Sequence, residues 1–490
     1  MSFDFTPTLN TLIILTVISP LFSYASRRTG VRLLADAYAI MAFAASLIIA
    51  LTQFSEVATN GPIIRVAGED PLTSTVIYVD QLAMYVAGIF IFIGLLAAIF
   101  SVGYIEERKP EYYPLLLTMV TGMVGVAFAG DLFLLFIFWE MMSISSYLLV
   151  AFRYRNWEAV EASFKYLIIS AAGAAAILFA MSFLYGMVGT LNIAILAETL
   201  ATGVAAGEFW SYVIIALLVA GFGVNAAMFP FHSWLPDAHP AAPSPISAML
   251  SGVVIKTGIY ALFRIMTFVF PATLFDWSIV LAIFAVLTMT VGNLMALLQE
   301  DIKRLLAFSS IAHIGYILLA LSIFSVGGLA GGLLHILNHA SMKALLFLAA
   351  GAFIHATATR NIDELAGIGR TMPISAVAFT IGAFSLAGIP GLNTFWSEAQ
   401  IIIAGIEAGF TVFVVIMIIN ILISVAYYLR LVQTIFFKPP SEKAMKAHDG
   451  SVSMITPLIL LSILAIVIGV YPAPFFKTVF NIARILIASP

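Results

Sequence analysis

The sequence predicts an all-α integral membrane protein of fourteen transmembrane helices, built as two inverted five-helix repeats. Three observations lead there. Of 490 residues, 62% are hydrophobic and 10% are charged, whereas a soluble domain carries roughly 25% charged residues. Apolar runs near the ~20 residues needed to span a bilayer recur from end to end. Two of those runs are broken by proline or glycine at matching places, as expected of inverted repeats. Backbone groups in hydrocarbon must pair internally, and no barrel-like alternation is present, so the spans are helices.

In order, the spans fall near 8–26, 33–52, 78–101, 112–129, 132–151, 162–187 and 210–230. The remaining seven fall near 244–268, 277–298, 303–324, 328–355, 373–403, 411–436 and 452–471. The first twenty residues lack a basic region and a small-residue cleavage site, so the first span is read as part of the bundle rather than a signal peptide. Spans one to three form an N-terminal unit, 1–110. Spans four to eight, 111–270, and nine to thirteen, 271–438, form the repeats, and 439–490 holds a cytoplasmic loop, span fourteen and a short tail. With an odd number of helices in each, the two repeats insert in opposite orientations. Span seven ends in Phe229-Pro230-Phe231-His232-Ser233-Trp234-Leu235-Pro236, and span twelve contains Gly388-Ile389-Pro390-Gly391-Leu392-Asn393. Proline removes a donor and breaks a helix, and both breaks are read as functional rather than as packed kinks.

Alternating the loops tests the count. Sixteen of the 22 Lys and Arg then fall on one side, among them Arg27, Arg28, Arg32, Lys438 and Lys443. Four fall on the other, including Arg65 and Arg264, while Lys256 and Lys343 fall inside spans. The basic side is cytoplasmic, so both termini are expected outside the cell membrane.

Charges inside the spans carry the functional argument. Glu140 lies nine residues beyond Asp131, roughly 13–14 Å into a ~30 Å core. Lys256, Lys343 and Glu398 lie comparably deep. Each costs about 2.5–3.5 kcal/mol to insert, on the order of 10–14 kcal/mol for four. Such a cost fits a proton relay better than static pairing across helices, because Glu and Lys in low dielectric shift each other's pKa strongly and gaining or losing a proton changes the pair. In span eleven His335, His339 and Lys343 recur at i, i+4 and i+8, one polar stripe on a helix face. Histidine both accepts and donates near neutrality. His313, after Ser309 and Ser310, extends the line as a secondary candidate. A zinc-protease helix would need Glu after the first His, and Ile336 stands there, so no metal is assigned. With 0 Cys there is no disulfide and no cysteine-held cluster. No cofactor is assigned, and coupled electron transfer is expected in another subunit.

At this level the sequence resembles a known family. The run Gly292-Asn293-Leu294-Met295-Ala296-Leu297-Leu298-Gln299-Glu300-Asp301-Ile302-Lys303-Arg304-Leu305-Leu306-Ala307-Phe308-Ser309-Ser310 resembles the antiporter-like subunits of respiratory complex I and of Mrp-type sodium/proton antiporters. So do Phe138-Trp139-Glu140, Pro230-Phe231-His232-Ser233-Trp234-Leu235-Pro236-Asp237-Ala238, Lys343-Ala344-Leu345-Leu346-Phe347 and Gly388-Ile389-Pro390-Gly391. Membrane-bound hydrogenases share this fold. The resemblance implies a hydrated polar axis along mid-membrane. Within it Glu140 matches the span-five glutamate, Lys256 the span-eight lysine, and His335, His339 and Lys343 the span-eleven relay. Glu398 stands at the span-twelve ionisable position. Asn225 departs from the pattern, standing where a span-seven lysine partner of Glu140 is expected. Lys256 could substitute as that partner, Asn225 could help coordinate a cation, or the first half could have become structural. The chain ends about twenty residues after span fourteen, which resembles the shorter family members, the D subunit of Mrp or the inner subunits of complex I.

The expected function is an antiporter-like subunit of a multisubunit membrane complex, moving protons or exchanging sodium for protons. It has no catalytic chemistry of its own. Its partners are other membrane subunits, the transported ion and lipid, and nothing suggests nucleic acid. The rival readings are a structural subunit with an incomplete relay and, more remote, a stand-alone solute transporter.

Overall fold

A computed structural model describes residues 5–31, 33–68, 74–202 and 208–488. Arg32 of the first basic cluster lies outside the described residues. The chain is a mostly helical, multi-pass membrane protein. Among the described residues, twelve helices are long and apolar enough to cross a membrane, or up to thirteen if Asp363–Arg370 and Pro373–Leu386, bent by 111°, form one span. Phe209–Asn225 is a shorter apolar helix. The stretches Ser244–Phe268, Ile302–Ser322 and Val326–Thr357 form the interior, while Pro7–Thr29, Trp157–Val188 and Thr411–Phe436 lie outermost. Outward residues there are themselves apolar, for example Ile168, Phe179, Val412 and Leu422, as a lipid-facing surface requires.

The all-α expectation is corrected at one place. Ile63–Ala67 and Thr75–Val79 pair as an antiparallel hairpin between the second and third long helices. Both segments are rich in β-branched residues, which suit a pleated surface; the second takes Tyr78 and Val79 from the start of the expected third span, whose helix begins at Gln81. Asp131 ties this hairpin to the bundle. One carboxylate oxygen accepts from the Leu134 N–H at 2.7 Å and caps Leu132–Val150, and the other accepts from the Val76 N–H at 2.8 Å.

The joint at Asp131 is built a second time. Asp131 bridges to Asn192, and Asp301 bridges to Asn361. The bridged segments read Thr190-Leu191-Asn192-Ile193 and Thr359-Arg360-Asn361-Ile362. In each, the Asn N–H donates to the Thr hydroxyl at 3.2 Å. In each, the Asn side-chain oxygen then caps the N–H two residues on, at 3.0 and 2.9 Å. The helix breaks are twinned as well. Glu208–Asn225 closes with Met228 N–H donating to Gly223 C=O at 2.9 Å, and Pro373–Leu386 closes with Ile389 N–H donating to Phe384 C=O at 3.1 Å. Between them sit left-handed residues, Ala227 at φ 53° and Gly388 at φ 73°. This is a six-to-one helix terminator.

Three cations that the sequence places at loop level are buried instead. The Arg264 guanidinium donates twice to Asp80, at 2.7 Å each. Lys109 donates to Asp36 at 2.8 Å, and Lys303 to the Ala242 carbonyl at 2.6 Å. Position along a helix axis does not reveal which way a long side chain folds. On the basic side, Lys438 pairs with Asp363 at 2.8 Å and Lys443 with Glu364 at 2.7 Å, pinning the loop 438–446.

The twinned terminators predict opposite mutational outcomes. A left-handed Ala carries a steric cost of about 1–2 kcal/mol that Gly avoids, so Ala227→Gly is expected to raise stability by up to ~1 kcal/mol after the chain-entropy cost of Gly. Gly388→Ala is expected to lower it, since the new Cβ would also stand 2.5 Å from a Glu398 carboxylate oxygen. Thermal unfolding in detergent checks both, and melting temperatures that do not move would remove the strain argument.

Candidate functional site

The site is assembled on Val326–Thr357, a 32-residue helix capped by Ser325. Its face presents His335, Asn338, His339 and Lys343, all fully buried. Four other segments pack polar groups against this face: the start of Ile255–Phe268, Ile302–Ser322, Asn393–Glu407 and Thr411–Phe436.

Both mid-bundle lysines are held by uncharged oxygens. The Lys343 ammonium donates to the Leu306 carbonyl at 3.1 Å, to the Ser309 hydroxyl, and to the Tyr428 hydroxyl at 3.4 Å. Lys256 donates to the Ser251 carbonyl. Ser251 lies in the π-turn Leu250–Val254 that precedes Ile255–Phe268, a local widening that often marks functional positions. The two lysines are linked through shared partners. The Ser251 and Ser310 hydroxyls are 2.6 Å apart, and Ser310 donates at 2.8 Å to the same Leu306 carbonyl that Lys343 uses.

The histidines form the next segment. His313 Nδ1 lies 3.1 Å from His335 Nε2, and His335 Nδ1 lies 3.0 Å from the Ser397 hydroxyl. Ser397 spends its one hydrogen on the Thr394 carbonyl at 2.8 Å and accepts from Asn338 at 3.1 Å. Its remaining role toward His335 is acceptor. The network therefore assigns the proton of His335 to Nδ1, leaves Nε2 with a lone pair, and makes His313 Nδ1–H the donor to it. His339 stacks on His313 with centroids 4.9 Å apart, and neither of its ring nitrogens has a protein partner. Glu398 is 3% exposed, with Oε1 unpartnered, and its other oxygen occupies the space a Cβ on Gly388 would need at the helix break. Asn338 and Asn393 brace that break, with Asn338 donating to the Asn393 carbonyl at 2.8 Å and Asn393 donating back at 3.1 Å.

Of the residues singled out in the sequence, Lys256, His313, His335, His339, Lys343 and Glu398 are thus brought into one buried belt. Glu140 and Asn225 are not. Glu140 is only half-buried and shares its helix face with outward-facing Ile137, Ile144 and Leu148. Among the described residues no ion pair joins Glu140 to Lys256 or to any other cation. Asn225 accepts from the Gly258 N–H at 3.1 Å, and its NH2 group has no partner.

Several residues of the belt escape sequence reading. Ser397, Asn338, Asn393 and Tyr428 are polar but unremarkable by type. His239 is fully buried, stacked on Phe347 at 4.4 Å, with both ring nitrogens unpartnered. It directly follows the Pro230–Ala238 motif, a signal that could have drawn attention to it. On the basic side, Tyr104, Arg108, Arg153 and His355 line a cavity of about 690 Å³, and the Tyr104 hydroxyl reaches Ser244 at 3.0 Å.

Comparison with known proteins agrees with this architecture. Residues 129–424 match the family model described as NADH:quinone oxidoreductase/Mrp antiporter, TM. The chain is 35% identical to F(420)H(2) dehydrogenase subunit N of Methanosarcina mazei, over 84% of this chain and 86% of that protein. It superimposes on a chain of the membrane-bound sulfane sulfur reductase, an archaeal respiratory membrane complex, with TM-score 0.90, 33% identity and 98% of each chain covered. A chain of the Mrp complex from Dietzia sp. has the same fold, with TM-score 0.88 and 24% identity over 99% of this chain and 98% of that one. The chain belongs to the NADH:quinone oxidoreductase/Mrp antiporter family, as an antiporter-like membrane subunit.

Proposed function

We propose that this subunit translocates protons through the buried belt Lys256–Lys343–His339–His313–His335–Glu398, within a larger complex of membrane subunits. The observation that carries the reading is that both lysine ammoniums rest on neutral oxygens of a shared carbonyl-and-hydroxyl track. A carboxylate partner about 4 Å away would hold each proton by about 4 kcal/mol at an effective dielectric near 20, whereas a neutral acceptor lets it leave. The chain has fourteen spans in the cell membrane, with both termini outside, and spans four to eight (111–270) and nine to thirteen (271–438) are inverted repeats. The twinned Asp–Asn joints and twinned helix terminators support that repeat. Spans one to three (1–110) and the segment 439–490 flank them. Redox chemistry, where the complex has it, belongs to other subunits, and a proton is favoured over sodium because the belt is rich in imidazole.

Asn225 supports one asymmetry. With no lysine there and no ion pair on Glu140, the first half contributes Lys256 to the belt and otherwise serves chiefly as scaffold, while the second half carries the rest of the path.

In the complex reconstituted into vesicles with a pH-sensitive dye, Lys343→Ala is expected to lose roughly 100-fold in proton transport while assembling normally, because a small neutral residue inserts more easily than a charge. Near-normal transport would return the belt to a packing role. In a double-mutant cycle, Lys256→Ala and Glu140→Gln are expected to add within ~0.5 kcal/mol, and strong coupling would restore Lys256 as the partner of Glu140. For topology, Lys443→Cys is clean because the chain has 0 Cys, and membrane-impermeant label should reach it only from the cytoplasmic side.

A further inference from the structure

We infer that His313, His335 and Glu398 form a transition-metal site of the zinc class, lying across the belt. The three come from separate helices, all are buried, and one ligand atom from each lies within 4.8 Å of the others. The spacing of His335 and His339 on one helix assigns no metal, since Ile336 stands where a zinc-protease helix needs Glu. The three-dimensional set is different, since it joins two imidazoles to a carboxylate.

The geometry fits a small divalent ion. Two nitrogens bound to zinc at ~2.0–2.1 Å in a tetrahedron stand roughly 3.3–3.4 Å apart, and His313 Nδ1 to His335 Nε2 is 3.1 Å. His335 already presents a lone pair at Nε2, because Ser397 holds its proton at Nδ1. A hydrogen bond at the far nitrogen is the usual support of a metal-bound histidine. His313 offers Nδ1 once its proton moves to Nε2, which has no protein partner. Glu398 supplies Oε1, likewise unpartnered and 3% exposed. A bound cation gives Glu398 Oε1 the partner it otherwise lacks. His339, stacked on His313 with both nitrogens free of partners, is placed to complete the coordination. The donor set excludes sodium or magnesium as the preferred ion, because those take oxygen ligands while imidazole suits zinc, cobalt and nickel.

Occupancy would stop the belt. The metal takes the lone pair through which His335 receives a proton from His313. A dication there also repels ammonium at Lys343 and Lys256. Metal and proton therefore compete, and affinity falls as pH falls.

The test uses the full chain in lipid nanodiscs, titrated with Zn²⁺ for stoichiometry and with Co²⁺ for the visible bands of tetrahedral cobalt. The expected result is about one metal per chain with a tetrahedral spectrum. Glu398→Gln and His313→Gln should each weaken binding more than ~10-fold, and Ser397→Ala about 10-fold. His448→Gln, in a loop, should leave binding unchanged. The two ligand variants are near-isosteric and sit on different helices, so misfolding of one leaves the other to decide. Wild-type affinity in both, loss of the metal in His448→Gln, or a six-coordinate cobalt spectrum would each overturn the site. Binding is read without turnover, so the result stands apart from whether the belt conducts protons.

Discussion

The hold of neutral oxygens on two buried ammoniums is the contact on which the rest of the structure depends. A carbonyl inside an α-helix is ordinarily committed to the N–H four residues on, so such acceptors are scarce in a packed bundle. The fold supplies them in two ways. The π-turn Leu250–Val254 contains Ser251, whose carbonyl takes Lys256. The Leu306 carbonyl, in the first turns of the α-helix Ile302–Ser322, takes Lys343 and the Ser310 hydroxyl together. One acceptor comes from a departure from ideal helix, the other from a helical carbonyl shared among side-chain donors.

The two halves of the chain differ in what they do with one plan. Both have an aspartate-started helix locked to a Thr-x-Asn-Ile segment, and both end a helix with a left-handed residue ahead of a proline. In the second half the break is a glycine that lets Glu398 approach the backbone, with Asn338 and Asn393 bracing it. In the first half the break is Ala227, and Asn225 beside it turns its oxygen to the Gly258 N–H. Among the described residues there, no stack of histidines like His313, His335 and His339 is found. The plan is shared and the chemistry is not.

Much of this was legible in the residues. Apolar run length gave the helices, and the spacing of His335, His339 and Lys343 gave the polar face, because helical periodicity is a strictly local property. Gly388 and Pro390 marked a break for the same reason. What stayed hidden depends on how helices rotate against one another. Glu140 reads like Lys343 by depth alone, yet it turns toward the outer surface while Lys343 turns inward. Arg264 reads as a cation at the outer end of its span until Asp80, far away in sequence, is found beside it. Ser397 is one serine among many, and only its three neighbours make it the group that sets a histidine tautomer. The hairpin was missed because composition dominated by hydrocarbon leaves short interfacial strands little weight.

That tautomer imposes a rhythm. A proton accepted at His335 Nε2 and released from Nδ1 leaves the imidazole with its two nitrogens exchanged in role. The ring cannot pass a second proton the same way until it turns over or the swap is undone. Fully buried, and stacked within 5.3 Å of His313, it has no room to turn without its neighbours yielding, since interiors are close-packed. On the proton path proposed above, conduction at this point is stroke-like: one particle passes, the gate resets, and the reset is the moment at which outside work can be coupled to the flow.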